Sequence, residues 1–170
     1  MRALSSEERE ALADACTGLE PDRITLHRTP GSVLRGLVLF LSRGRAVTLG
    51  RHVFLPEARA RDVALLAHEL THCRQYEEWG FLRYYVRGAA EQARHLLSRM
   101  GAAADPYDWR RGPPRRFEEY GMEQQGQLVE DAYRGDPAAR AIAAANWSTS
   151  SSVVSHDAIQ RTSDRRSSHT

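Results

Sequence analysis

Residues 62–76 run Asp62-Val63-Ala64-Leu65-Leu66-Ala67-His68-Glu69-Leu70-Thr71-His72-Cys73-Arg74-Gln75-Tyr76. At about 100° per residue, Val63, Leu66, Ala67 and Leu70 fall on one side of a helix, and Leu65, His68, His72 and Tyr76 on nearly the opposite side. Asp62 is placed to cap the first turn and Gly80 to stop the last, so the pattern predicts a helix from 62 to about 79. Only a narrow stripe of Thr71, Gln75 and Glu78 is left for solvent, which predicts a helix through the middle of a domain. His68 and His72 stand one turn apart and can turn both imidazoles onto one metal ion. Glu69, about 100° around the helix, can take a proton from a water that the metal acidifies, the division of labour that zinc hydrolysis requires. Zn²⁺ is the expected cofactor; two ordinary buried histidines are the alternative.

Working outward, Ala46-Val47-Thr48-Leu49 and His52-Val53-Phe54-Leu55 flank Gly50-Arg51 and end at Pro56. Their β-branched and aromatic residues predict adjacent extended segments. Residues 23–27 read as another short strand, and Ser5, Ser6, Glu7 and Glu8 open an N-terminal helix that Gly18 is expected to stop. Residues 33–41 suit a helix or a strand equally. Residues 81–100 read as an amphipathic packing helix with Glu91 and His95 on its polar side. After a loop rich in Trp, Tyr and Arg comes a helix over 120–133. Asp136-Pro137 then supplies a cap and a first-position proline for a last, alanine-rich helix. Eleven of the final 23 residues are Ser or Thr, which predicts a disordered tail.

A chain of 170 residues suits one domain, and a hydrophobic share of 41% fills a core without disulfides. Cys16 and Cys73 are the only cysteines, which points to a reducing compartment. All 24 basic residues are arginine, yet 22 acidic ones hold the formal charge to +2. A nucleic-acid partner is therefore not expected, although Arg110-Arg111 and Arg115-Arg116 beside Trp109 and Phe117 would suit one. The longest apolar stretch, 33–41, is interrupted by Arg35 and falls short of the about 20 residues that span a bilayer, so no membrane contact is expected. The acidic start lacks the apolar segment of a signal peptide.

Ala64-Leu65-Leu66-Ala67-His68-Glu69-Leu70-Thr71-His72, followed by Arg74-Gln75-Tyr76, resembles the active-site helix of the small metallopeptidase-like domain associated with bacterial extracellular contractile injection systems. Ala46-Val47-Thr48-Leu49-Gly50-Arg51-His52-Val53-Phe54-Leu55-Pro56 resembles the strand region before that helix, and the resemblance spans residues 23–134. That domain is similar to gluzincin zinc peptidases, which use two histidines and a downstream glutamate. The implied fold is α+β: a mostly helical, minimal zincin-like domain with a small sheet before the His-Glu-x-x-His helix. Residues 1–22 then form an N-terminal helical extension, 23–147 the metallopeptidase-like domain and 148–170 the disordered tail.

A hydrolytic zinc site has three protein ligands and an open fourth position. Glu123 opens Glu123-Gln124-Gln125-Gly126 and resembles the gluzincin third ligand, with the small Gly126 letting helices approach. Glu91, 19 residues after His72, is the rival, with His95 one turn further on; Asp131 is a weaker candidate. Glu130 shares a face with Gln127 and is expected to orient a ligating imidazole. Tyr120, Tyr107 and His52 are candidate donors to an oxyanion. Cys73 points about 100° from His72 and reads as a packed thiol. The segment at 47–49 suits a substrate peptide added as a strand.

These readings converge on a zinc-dependent metallopeptidase. His68, His72 and Glu123 hold Zn²⁺, Glu69 is the general base, and a peptide or protein is the substrate. The alternative is a catalytically silent peptidase-fold module that binds or targets, accompanying a contractile injection system or a toxin. The resemblance implies a bacterial cytoplasmic protein, with any export by a route that needs no signal peptide.

Overall fold

The computed structural model describes residues 1–28, 36 and 44–147, so the expectations for the segment 33–41 and for the tail at 148–170 lie outside the described residues. Helix α1, Ser6–Ala11, opens on a capping box: the Ser5 hydroxyl accepts the Glu8 N–H, and the Glu8 carboxylate accepts the Ser5 N–H. It ends well before Gly18, with Leu12 as its cap and turns over 12–18. Leu4, Leu12 and Ala15 are drawn into the same core as Leu26, Leu70 and Leu128. The N-terminal segment thus contributes side chains to that core.

Strands β1 (Thr25–His27), β2 (Val47–Leu49) and β3 (His52–Phe54) form one sheet in the order β1-β3-β2. β1 runs parallel to β3 with Leu26 opposite Val53, and β2 runs antiparallel with Thr48 opposite the same Val53. Gly50-Arg51 turns the chain between β2 and β3. Gly50 has φ 63°, and a Cβ there would lie 3.3 Å from the Tyr76 ring. Among the described residues β2 is an edge strand, and the site lies beside it.

Helix α2, Val63–Arg99, is interrupted at Gly80, whose φ of 74° and ψ of 170° only glycine adopts freely. Asp62 Oδ1 accepts the Leu65 N–H at 3.0 Å and caps its start. The limb before Gly80 runs through the core, with Leu66, Leu70 and Cys73 fully buried. Thr71 and Gln75, expected to face solvent, are buried as well. The reason is helix α3, Met122–Tyr133, which lies against this limb and meets the Gln75 amide.

The limb after Gly80 is the reverse of the packing helix expected there. Tyr84 and Glu91 are buried, while Leu82, Val86, Leu96, Leu97 and Met100 are exposed. Glu91 is held inward because its carboxylate accepts the Met122 N–H at the start of α3, which offsets part of the desolvation that raises its pKa. Residues 137–147 form the last helix, and Asp136 caps it by accepting the Ala139 N–H at 2.9 Å. In the loop before α3, Trp109 and Phe117 are buried. Arg110 stacks on Trp109 and pairs with Asp131 and Asp136 at 2.9 and 2.6 Å, so this arginine is engaged internally. No helix of the described residues is long and apolar enough to cross a membrane. The architecture is mostly helical with a small sheet before the long helix, as the sequence led us to expect.

Candidate metal centre

His68 and His72, on the buried limb of α2, meet Glu123 from the first turn of α3. The two Nε2 atoms stand 3.1 Å apart, and Glu123 Oε2 lies 3.6 Å from that of His68 and 3.5 Å from that of His72. Donors about 2.0–2.1 Å from a tetrahedral zinc ion stand about 3.3–3.4 Å from one another along its edges. The three atoms therefore outline one face of such a tetrahedron. The helices come this close because α3 has no side chain at Gly126: a Cβ there would lie 2.7 Å from His68 Nε2.

The proton positions on both rings follow from their neighbours. The Gln125 amide donates to the Tyr120 carbonyl at 3.0 Å, so its oxygen is free to accept from Gln75 Nε2 at 2.9 Å. Gln75 Nε2 also donates to the Met122 carbonyl at 3.1 Å. The Gln75 oxygen must then be the atom that faces His72 Nδ1, at 2.7 Å, and Nδ1 must carry the proton. Two main-chain carbonyls thus set the tautomer of His72 and leave a lone pair on Nε2. His68 Nδ1 lies 3.2 Å from Glu130 Oε2, an atom that only accepts, although the contact is off the line of a well-aligned hydrogen bond. Glu130 is held in turn by Arg134 at 2.8 Å.

Two imidazole Nε2 atoms and a carboxylate oxygen converge in a buried space, and their charges respond together. Burial opposes charge on either ring, yet Glu123, Glu130 and Glu69 outweigh it and raise His68 to about 10; Glu123 foremost raises His72 as well. Burial likewise opposes charge on Glu123, but His72 and His68 hold it well below the usual carboxylate range. Glu130 is drawn down to about 2, against its burial, by His68 and Arg134. The cluster calls for positive charge at its centre, whether as protons or as a metal cation. A borderline-soft divalent ion such as zinc fits two nitrogens and one oxygen at these separations.

Beside the triangle is a cleft of about 810 Å³, walled by β2 on one side and the second limb of α2 on another. Glu69 lines it, and its Oε2 accepts the Thr48 hydroxyl at 2.7 Å. Tyr84 donates to the Thr48 carbonyl at 3.0 Å, so the middle of the edge strand is tied to both groups. Tyr107 lines the cleft, and burial and the nearby Glu123 raise its pKa. Its hydroxyl accepts from Arg45.

The remaining candidates fall elsewhere. Tyr120 is buried in the core with its hydroxyl on the Arg115 N–H, and it reaches the site only through the carbonyl that orders Gln125. His52 sits against His27, with ring nitrogens 3.2 Å apart. Glu91 caps α3 and Asp131 accepts from Trp109 and Arg110, so neither joins the triangle. Cys73 is fully buried, and burial raises its thiol pKa. Gln75 is the residue the sequence reading missed. Its spacing of three from His72 is the one sign that pointed to it, since such residues share a helix face.

Residues 42–80 match the family model described as the eCIS core domain, a similarity that supports an association with extracellular contractile injection systems. The matched stretch holds β2, β3, His68, Glu69 and His72, and Glu123 lies beyond it. No curated protein and no solved structure matches the chain. What the chain is similar to is thus the core domain of an injection system, over the part that carries both histidines.

Proposed function

We propose that this chain is a zinc-dependent peptidase whose metal is held by His68, His72 and Glu123. The observation that carries the reading is the triangle of 3.1, 3.5 and 3.6 Å, on which the Nε2 atoms of both imidazoles and a carboxylate oxygen converge. When bound there, zinc supplies Lewis acidity, which acidifies a water towards neutral pH and polarises a carbonyl. Thr48 holds Glu69 Oε2 at 2.7 Å and leaves Oε1 to take a proton from water and return it to the departing amine. Tyr107, which lines the same cleft, is the hydroxyl we assign as donor to a developing oxyanion. A peptide or protein is the substrate class, since the edge strand offers a main-chain surface beside the base.

The test is elemental analysis of the purified chain together with cleavage of a peptide library, with and without a chelator. Glu69→Gln is expected to keep parental zinc content and to lose cleavage by at least about a hundredfold. His68→Ala is expected to lose the metal. Cleavage by Glu69→Gln at the parental rate would overturn the assigned base.

The match of residues 42–80 favours a second reading, in which the fold serves as a binding or targeting module of a contractile injection system. Zinc binding without cleavage of any library member would select it. An intact Glu69 speaks for the enzyme, because a structural zinc site needs no base and closes its fourth position with a further Cys or His.

A further inference from the structure

The limb of α2 after Gly80 presents the wrong side to water. Tyr84, Gly88, Glu91, His95 and Ser98 fall within about 40° of one line along the helix, and all are buried or half-buried, as is Tyr85 at the edge of that face. Leu82, Val86, Ala93, Leu97 and Met100 fall within about 40° of the opposite line, and all are exposed. Leu82 is 75% exposed and Met100 72%. At 1.5 Å per residue this apolar stripe runs for about 28 Å, which is the length of a helix–helix contact and not of a stray surface residue.

One rim of the stripe is basic. Arg83, Arg87 and Arg94 line it, with the Arg83 and Arg87 guanidinium carbons 5.9 and 4.5 Å from the Trp79 ring centre. Stacking on one indole holds these two in place, and among the described residues neither makes a carboxylate ion pair, Arg87 reaching the Glu91 carboxylate only through its charge. Arg94 approaches Glu91 only at 3.8 Å. Glu91 is the sole acidic residue within 81–100, and it is buried. A second copy pairing through this same face would therefore bring arginine and no exposed carboxylate to it, and an antiparallel pairing would set the arginine rims against each other.

We propose that the outer face of residues 81–100 docks an amphipathic helix of a partner protein, one whose apolar stripe is flanked by Asp and Glu. The apolar centre supplies the contact, and the arginine rim selects the partner. This surface is separate from the metal centre and does not depend on it.

The full-length chain is titrated against a fluorescent helical peptide of about three heptads with Leu at its seam and Glu on both flanks, and against a copy with Lys on the flanks. Binding of the Glu peptide at least about tenfold tighter than the Lys peptide is expected, with a similar loss for Ala93→Glu. Combining Arg83→Glu, Arg87→Glu and Arg94→Glu is expected to reverse the preference. Circular dichroism and zinc content unchanged from the parent's show that the variants fold, and they separate this result from any failure of the metal assignment. Four outcomes overturn the proposal. Neither peptide binds; both bind equally; light scattering shows a dimer that Ala93→Glu dissolves; or Ala93→Cys resists a maleimide that labels exposed thiols, with the parent's Cys16 and Cys73 as background, which would mean that the chain's own residues cover the face.

Discussion

His72 owes its orientation to Gln75, and that amide is directed by two carbonyls that belong to the neighbouring helix and its approach. Removing such an outer partner typically weakens metal binding by about 10–100-fold. Gln75→Ala is expected to show a loss of that size in competition with a chromophoric chelator, and Gln75→Glu, which still accepts from Nδ1, a smaller one. His68, Glu69 and His72 were legible in the sequence because their geometry is set within one helical turn. Glu123 was legible only through a resemblance, since nothing local to it marks a ligand. Gln75 was misplaced because helical angles alone say which stripe a residue is on, not what will cover it. Among the donors weighed for the oxyanion, choosing Tyr107 over Tyr120 and His52 required the path of the loop that carries it.

Between elements, the meeting of α2 and α3 rests on Gly126. A methyl group there would sit 2.7 Å from His68 Nε2, and one of the two must move. Gly126→Ala is expected to cost about 1–3 kcal/mol in urea unfolding and to lower zinc affinity with it, because the ring can yield only by leaving its position opposite His72 and Glu123. Both helices and both strands of the hairpin were readable from periodicity, capping residues and the Gly50 turn. The second limb was readable as a helix but not in its facing. Counting apolar residues gave it a core side, whereas the pull of Glu91 on the α3 amide and of Tyr84 on the Thr48 carbonyl turned the polar side inward.

Across the whole molecule, the N-terminal segment is fastened by Glu8, which pairs with Arg2 at 2.6 Å and Arg28 at 2.5 Å. Arg2 foremost, helped by the Ser5 N–H and Arg28, lowers its pKa from 4.5 to about 2 despite partial burial. A carboxylate lowered on folding adds stability that is complete above its unfolded value and fades as pH falls towards the folded one. The gap in urea midpoint between the parent and Glu8→Gln should therefore be constant above about pH 5 and close between pH 4.5 and about 2. Domain-wide connections of this kind, which join residues 2, 8 and 28, left no periodic trace in the sequence. Gly80 has a different reach. Its backbone is open to glycine alone, so Gly80→Ala should cost about 1–3 kcal/mol in urea unfolding. It should lower zinc affinity less than Gly126→Ala does, because His68, His72 and Glu123 lie off the limb that it redirects, which meets α3 through Glu91 and the Met122 N–H. That limb carries Tyr84 and His95 along the far wall of the cleft, so the bend acts as the pivot of a calliper whose fixed jaw bears the histidines. Under the proposed function, a change at this one pivot would therefore alter the opening offered to a substrate more than it alters the three side chains proposed to hold the ion.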